Sequence, residues 1–219
     1  MLRPLLAIVF YAWAMQALAQ QPAILVLGDS LSAGHGLSTD QGWVALLQRR
    51  LQHQGYPYRV VNASISGDTT RGGLNRLPLA LQRHKPKVVI VELGGNDGLR
   101  GLPMDEIQRN LAAIVSTSRN HGAKVLLVGV RLPPNYGAAY VKKFLDIYRR
   151  LEKTYQVPLV PYLLDGIGGH DELMQADRLH PRAEAQSRML DNVWPHLFSI
   201  LKRLAPRSPE QRTPAPGSL

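Results

Sequence analysis

No cysteine occurs among the 219 residues of the chain, and that absence removes a whole class of chemistry. Disulfides, thiolate metal sites, a cysteine nucleophile and a lipid-modified N-terminal cysteine are all excluded. Any catalysis must use oxygen and nitrogen groups. Aromatic residues are scarce at 6% and no basic run is interleaved with them. The footprint of a nucleic-acid binder is therefore missing, and no nucleic-acid partner is expected. Neither phosphate-cradling fingerprint occurs, Gly-x4-Gly-Lys-Ser/Thr or Gly-x-Gly-x-x-Gly. The histidines form no His-x-x-x-His or His-Glu pattern, so no metal or other cofactor is implied.

Residues 1–19 carry the three parts of a secretory signal: Arg3, an apolar run from about Leu5 to Met15, and Ala17-Leu18-Ala19 ahead of Gln20. The run is shorter than the roughly 20 apolar residues of a membrane span. Cleavage after Ala19 and export to the periplasm or outside are expected. Basic side chains outnumber acidic ones 26 to 16, a formal charge of +10 that becomes +9 if Arg3 leaves with the signal. Such a balance suits solubility or transient contact with an anionic membrane surface, and by itself names no partner.

With 45% hydrophobic residues, the remainder can bury one sizeable core. One domain over 20–204 is expected, working as a monomer. A disordered tail over 205–219 should follow, where Pro206, Pro209, Pro214 and Pro216 stand among Ser, Gly and charged residues. Between these ends, apolar runs alternate with segments of helical period. Strands are expected at Ala23 to Leu27, Tyr58 to Asn62, Val88 to Leu93, Lys124 to Val130 and Pro158 to Val160. Helices are expected at Trp43 to Gln54, Arg71 to His84, Met104 to His121, Ala138 to Tyr155 and Arg182 to Leu204. The pattern predicts an α/β fold, a three-layer α/β/α sandwich on a five-stranded parallel sheet of flavodoxin-like order.

Right-handed crossovers would put every loop that follows a strand at one edge of the sheet, where ligands of such folds sit. Ser30, in Gly28-Asp29-Ser30-Leu31-Ser32, follows the first strand, Gly67 the second and Asn96 the third. Asp177 and His180 lie between the fifth strand and the last helix. His180 precedes Pro181, which suits a first helical position and would hold the imidazole at a helix entrance. Asp177, three residues earlier, can fold back onto one ring nitrogen while the other faces Ser30. A serine nucleophile needs that arrangement: the imidazole takes the hydroxyl proton and the carboxylate fixes its tautomer. The Ser30 and Gly67 backbone N–H groups and the Asn96 amide are candidate oxyanion donors. Taken singly, Gly67 and Asn96 are ordinary turn residues; their shared edge is what joins them. Asp29 and Asp97 read as turn and loop hydrogen-bonders.

Four blocks, Gly28 to Ser32, Asn62 to Thr69, Val91 to Gly101 and Asp177 to Pro181, with Arg131 to Gly137 beside them, carry a resemblance. The chain resembles the SGNH (GDSL) hydrolases, and within them the bacterial multifunctional thioesterase, lysophospholipase and arylesterase group, over about residues 23–200. The resemblance implies Ser30 as nucleophile, His180 as base and acid, Asp177 as its orienter, and Ser30, Gly67 and Asn96 as oxyanion donors. It also implies that Gly98-Leu99-Arg100-Gly101-Leu102-Pro103 forms a substrate-binding loop over the acyl chain, with Leu99 and Leu102 as its apolar contacts. The alternative is a rigid turn whose leucines pack into the core. The Gly-x-Ser-x-Gly elbow is absent because residue 32 is Ser.

The expected function is an exported serine hydrolase acting on ester and thioester bonds of small acyl esters or lysophospholipids through an acyl-enzyme. One alternative is a carbohydrate esterase that removes acetyl groups with the same residues. Another, of a different class, is a flavodoxin-like phosphate or nucleotide binder with Ser64 to Gly73 cradling the phosphate at a helix N-terminus.

Overall fold

The computed structural model describes residues 21–204, and the expected signal and tail lie outside the described residues. Five strands, β1 (Ala23–Gly28), β2 (Arg59–Asn62), β3 (Val88–Glu92), β4 (Lys124–Val128) and β5 (Leu159–Val160), pair in parallel in the order β2-β1-β3-β4-β5. Among the described residues, seven α-helices accompany them: α1 (Ser30–Ala33), α2 (Trp43–His53), α3 (Thr70–His84), α4 (Gly95–Leu99), α5 (Met104–Asn120), α6 (Ala138–Tyr155) and α7 (Gln186–Leu204).

Side-chain alternation along the strands decides the layers. Ile24 and Val26 of β1, Val88 and Ile90 of β3, and Leu126 and Val128 of β4 face one side. There they meet Trp43, Leu47 and Leu51 of α2 and Met189, Val193 and Leu197 of α7. The intervening residues Leu25, Leu27, Val89, Val91, Val125 and Leu127 face the other side, against α3, α5 and α6. Each such aliphatic side chain taken from water contributes about 1.5–3 kcal/mol. Both faces are covered, so the central strands β1 and β3 read as near-continuous apolar runs and the sandwich has three layers, as expected from the sequence.

Two features differ from the expectation. The short helices α1 and α4 follow β1 and β3 directly, where only turns were expected. The last helix does not begin at Pro181: that residue bridges to Met174, and Arg182 is still extended with its N–H donating to the Leu173 carbonyl at 2.8 Å. A single 3-10 turn, Ala183–Ala185, then leads into α7. His180 therefore sits on a pinned loop instead of a helix entrance, because the pairing of 173–175 with 180–182 runs past the proline.

Candidate active site

β1 ends at Gly28, opposite Glu92 of β3. A Cβ at position 28 would lie 2.7 Å from the Ser32 Cβ and 2.9 Å from Glu92 Oε2, so the turn closes only around glycine. Asp29 caps α1, its carboxylate accepting the Leu31 N–H at 3.0 Å, and Ser30 is the first helical residue. The Ser30 hydroxyl meets His180 Nε2 at 2.8 Å across 150 positions of sequence, and His180 Nδ1 meets Asp177 Oδ2 at 2.6 Å.

Asp177 also accepts the N–H groups of Leu179 at 2.9 Å and His180 at 3.0 Å through its other oxygen. Burial opposes its charge, but these bonds, led by that from the His180 ring, outweigh it and hold the Asp177 pKa down at about 2. With the carboxylate ionised, the hydrogen-bond network assigns the ring hydrogen to Nδ1 and leaves Nε2 as an acceptor toward Ser30. The tight fold-back is completed by Arg178, whose φ of 56° is left-handed. Gln175 fastens the loop, its backbone N–H donating to the His180 carbonyl at 2.7 Å and its side-chain amide to the Pro181 carbonyl at 3.0 Å.

Gly67 and Asn96 come to the same edge. Neither the Ser30 nor the Gly67 N–H has a partner among the described residues. Gly67 is left-handed, with φ 79°, and its carbonyl accepts from Arg100 at 3.0 Å. Asn96 on α4 donates from Nδ2 to Asp29 Oδ2 at 3.1 Å and to the Asp68 carbonyl at 3.0 Å. The half-buried Arg76 of α3 ties this region together: it donates to Asp68 Oδ2 at 2.7 Å, to the Gly28 carbonyl at 3.2 Å and to the Ala63 carbonyl.

Beneath the serine turn, beside Asp29 and Asp97, lies a carboxyl group that sequence reasoning did not single out. Glu92 is wholly buried; its Oε2 accepts the Ser32 hydroxyl at 2.7 Å, while Oε1 has no partner among the described residues. Burial, then the neighbouring Asp29, pushes its pKa well above the usual carboxylate range. Burial likewise raises Asp29 to about 6, against the bonds from Leu31, Glu92 and Asn96 and the charge of His180. Asp97 is raised by burial too, and receives the Thr70 N–H at 2.9 Å and the Thr70 hydroxyl at 2.5 Å. Asp29 and Asp97 are thus the turn hydrogen-bonders expected, while a glutamate ending an apolar strand was the one sign of Glu92.

The segment Gly98 to Pro103 flanks this edge. Gly98 is packed, since a Cβ there would lie 2.7 Å from Leu132, and its carbonyl accepts the Tyr140 hydroxyl at 3.0 Å. The Leu99 carbonyl accepts the Tyr136 hydroxyl at 3.0 Å, and the Leu99 and Leu102 side chains are half-buried against the α3–α5–α6 core. Gly101 alone has open space and a left-handed φ of 69°. Pro103 leads into α5. Beside Ser30, a shallow depression is lined by Leu31, His35, Leu37 and Pro181.

Comparison with known proteins gives the family. Residues 26–188 match the model of the GDSL-like lipase/acylhydrolase family. The chain belongs to that family. As a member it is an enzyme, an acyl-ester hydrolase. It is 54% identical over 191 residues to the esterase TesA of Pseudomonas aeruginosa, covering 86% of this chain and 95% of that one. It is 43% identical over 173 residues to thioesterase 1/protease 1/lysophospholipase L1 of Escherichia coli K12, covering 79% and 82%. Among solved structures, the psychrotrophic esterase EstA from Pseudoalteromonas sp., inhibited by monoethylphosphonate, superposes with a TM-score of 0.78 at 39% identity, covering 82% of this chain and 98% of that one.

Proposed function

We propose that this family member is an exported serine esterase and thioesterase acting on acyl lipids, lysophospholipids among them. The observation that carries the reading is the pair of hydrogen bonds on His180, 2.8 Å to the Ser30 hydroxyl and 2.6 Å to Asp177. Nε2 takes the hydroxyl proton as Oγ attacks the acyl carbonyl, and the Asp177 charge offsets the imidazolium that forms. The oxyanion receives the Ser30 and Gly67 N–H groups and a share of the Asn96 amide, each such donor lowering the barrier by about 3–4 kcal/mol. Collapse expels the alcohol or thiol with the proton from His180. Water then repeats the sequence against the acyl-enzyme, releasing the acid and free Ser30. The relatives' names, esterase, thioesterase and lysophospholipase, support the substrate class. Export rests on residues 1–19, and no described helix is long and apolar enough to cross a membrane.

The phosphate-binding alternative is not favoured, because the N-terminus of α3 is already engaged by carboxylates: Asp97 takes the Thr70 N–H at 2.9 Å and Asp68 that of Thr69 at 2.9 Å. An anion there would meet charge of its own sign. Sugar deacetylation is not favoured by the relatives' names. Hydrolysis of p-nitrophenyl esters from acetyl to palmitoyl, beside Ser30→Ala, tests the proposal. Loss of activity in the variant with a rate that rises with chain length is expected. An acetyl-only profile would turn the reading to deacetylation, and a folded wild type inactive on every ester would refute it.

A further inference from the structure

His35, which the ester chemistry does not use, stands against the relay. Its ring lies 4.3 Å from the His180 ring, tilted by 37°. One nitrogen from each ring and a carboxylate oxygen of Asp177 all fall within 4.8 Å of one another. The placement is built: the His35 N–H donates to the Ser30 carbonyl at 3.1 Å, and its carbonyl accepts the Gln175 side-chain amide at 2.8 Å. Gln175 is the residue that also holds the His180 and Pro181 carbonyls, so one side chain fastens both histidine-bearing loops.

We infer that His35, His180 and Asp177 form a transition-metal site of the zinc class whose occupation switches the hydrolase off. Two imidazoles and a carboxylate are the donor set of open zinc sites, with a fourth position left for water. Zinc–ligand distances of about 2.0–2.2 Å require these donors to close up slightly, which side-chain rotation supplies. His35 and Asp177 are exposed, so a cation arrives from solvent without opening the core. The switch follows from His180 having two nitrogens, both in use. A cation on Nε2 removes the base from Ser30. A cation held between Nδ1 and Asp177 breaks their hydrogen bond, moves the ring hydrogen to Nε2 and turns the acceptor facing Ser30 into a donor. Metal binding and serine activation exclude each other. The inhibitory consequence rests on the esterase reading above; the binding does not.

Calorimetric titration of the chelator-stripped protein with zinc chloride tests the site directly. Wild type is expected to bind one zinc per chain, with affinity about tenfold or more weaker in His35→Ala and His35→Asn. His170→Ala, which removes a separate pairing with Glu172 at 3.4 Å, should leave the affinity unchanged. Zinc should inhibit p-nitrophenyl butyrate hydrolysis by wild type and EDTA should restore it. His35→Ala, measured against its own zinc-free rate, should resist the metal because the cation has lost a ligand. Matching thermal melts keep the variants comparable. Equal zinc affinity in wild type and both His35 variants, or no zinc bound at all, would overturn the inference. Zinc held through His35 by a wild type that hydrolyses no ester would sink the esterase reading and leave the site standing.

Discussion

The Asn96 side-chain amide donates to the Asp29 carboxylate across 3.1 Å, joining the turn after β3 to the turn after β1. Its second hydrogen goes to the Asp68 carbonyl at 3.0 Å, so neither is spare before substrate arrives. An oxyanion must share one of them, and the gain appears only as its charge develops. Asn96→Ala is expected to lower kcat by about 10²–10³ with KM little changed. A raised KM at unchanged kcat in steady-state assays would instead make Asn96 a ground-state contact.

Asp29 also makes stability depend on pH in a definite direction. Its carboxyl is raised by burial from 3.8 to about 6, so the folded chain holds a proton that the unfolded chain has released over that interval. Stability from this group is present below about pH 4 and is lost as pH rises through about 6, a change of roughly 3 kcal/mol. The groups facing it are Glu92, Asn96 and His180. Asp29→Asn removes the titration, so denaturant melts from pH 4 to 6 should move in the variant's favour as pH rises. A pH-independent difference would place the proton elsewhere, on Glu92.

The strands and the five long helices are legible in the sequence because each buries an apolar run or stripe long enough to show its period. Helices α1 and α4 are not, being a turn or so of Gly, Ser, Asn and Asp whose helicity is decided by caps and by the strands they follow. The motif residues could be placed at one edge from topology alone. The Gln175 clamp on His35 spans 140 positions and shows no pattern at all. Pro181 misleads for a related reason: a tertiary bridge to Met174 overrides its preference for a helix start.

Asp177 separates an orienting role from a structural one. Asp177→Asn keeps an oxygen for the Leu179 and His180 N–H groups but presents an amide hydrogen to Nδ1 and favours the wrong tautomer. A fall in kcat of about 10³–10⁴ is expected with the fold retained. Because hydrogen bonds hold the native carboxyl at about 2, its contribution to stability is present above the ordinary 3.8 and is lost as pH falls through about 2. Acid melts of wild type and variant should therefore converge only at that extreme, and a kcat within tenfold of wild type would remove Asp177 from the relay.

Arg76 ties the loop after β2 to the end of β1 with one guanidinium, through the Asp68 carboxylate and the carbonyls of Ala63 and Gly28. A lysine carries the charge but has a single nitrogen that cannot reach all three acceptors as a planar fork. Arg76→Lys should cost about 1–3 kcal/mol through the acceptors left unsatisfied. It should also lower kcat, since the Gly67 turn loses its anchor. Urea melts and kinetics measured on the same preparation check both, and an active but destabilised variant would confine Arg76 to stability.

Gly28 tests whether the serine turn needs its closeness to β3. Its φ is not left-handed, so an alanine meets no backbone strain there; the obstacle is space. The new methyl would fall 2.7 Å from the Ser32 Cβ and 2.9 Å from Glu92 Oε2, and neither neighbour has room to retreat, since Ser32 is buried on α1 and Glu92 is wholly buried on β3. Relief must come from shifting α1, which carries Ser30. Gly28→Ala is therefore expected to destabilise by about 1–3 kcal/mol and to lower kcat with it, as the hydroxyl moves away from His180. Pairing Gly28→Ala with Ser32→Gly removes two of the three close atoms and should recover part of both losses. A double variant no better than the single one would show that the Glu92 contact alone sets the position of the serine.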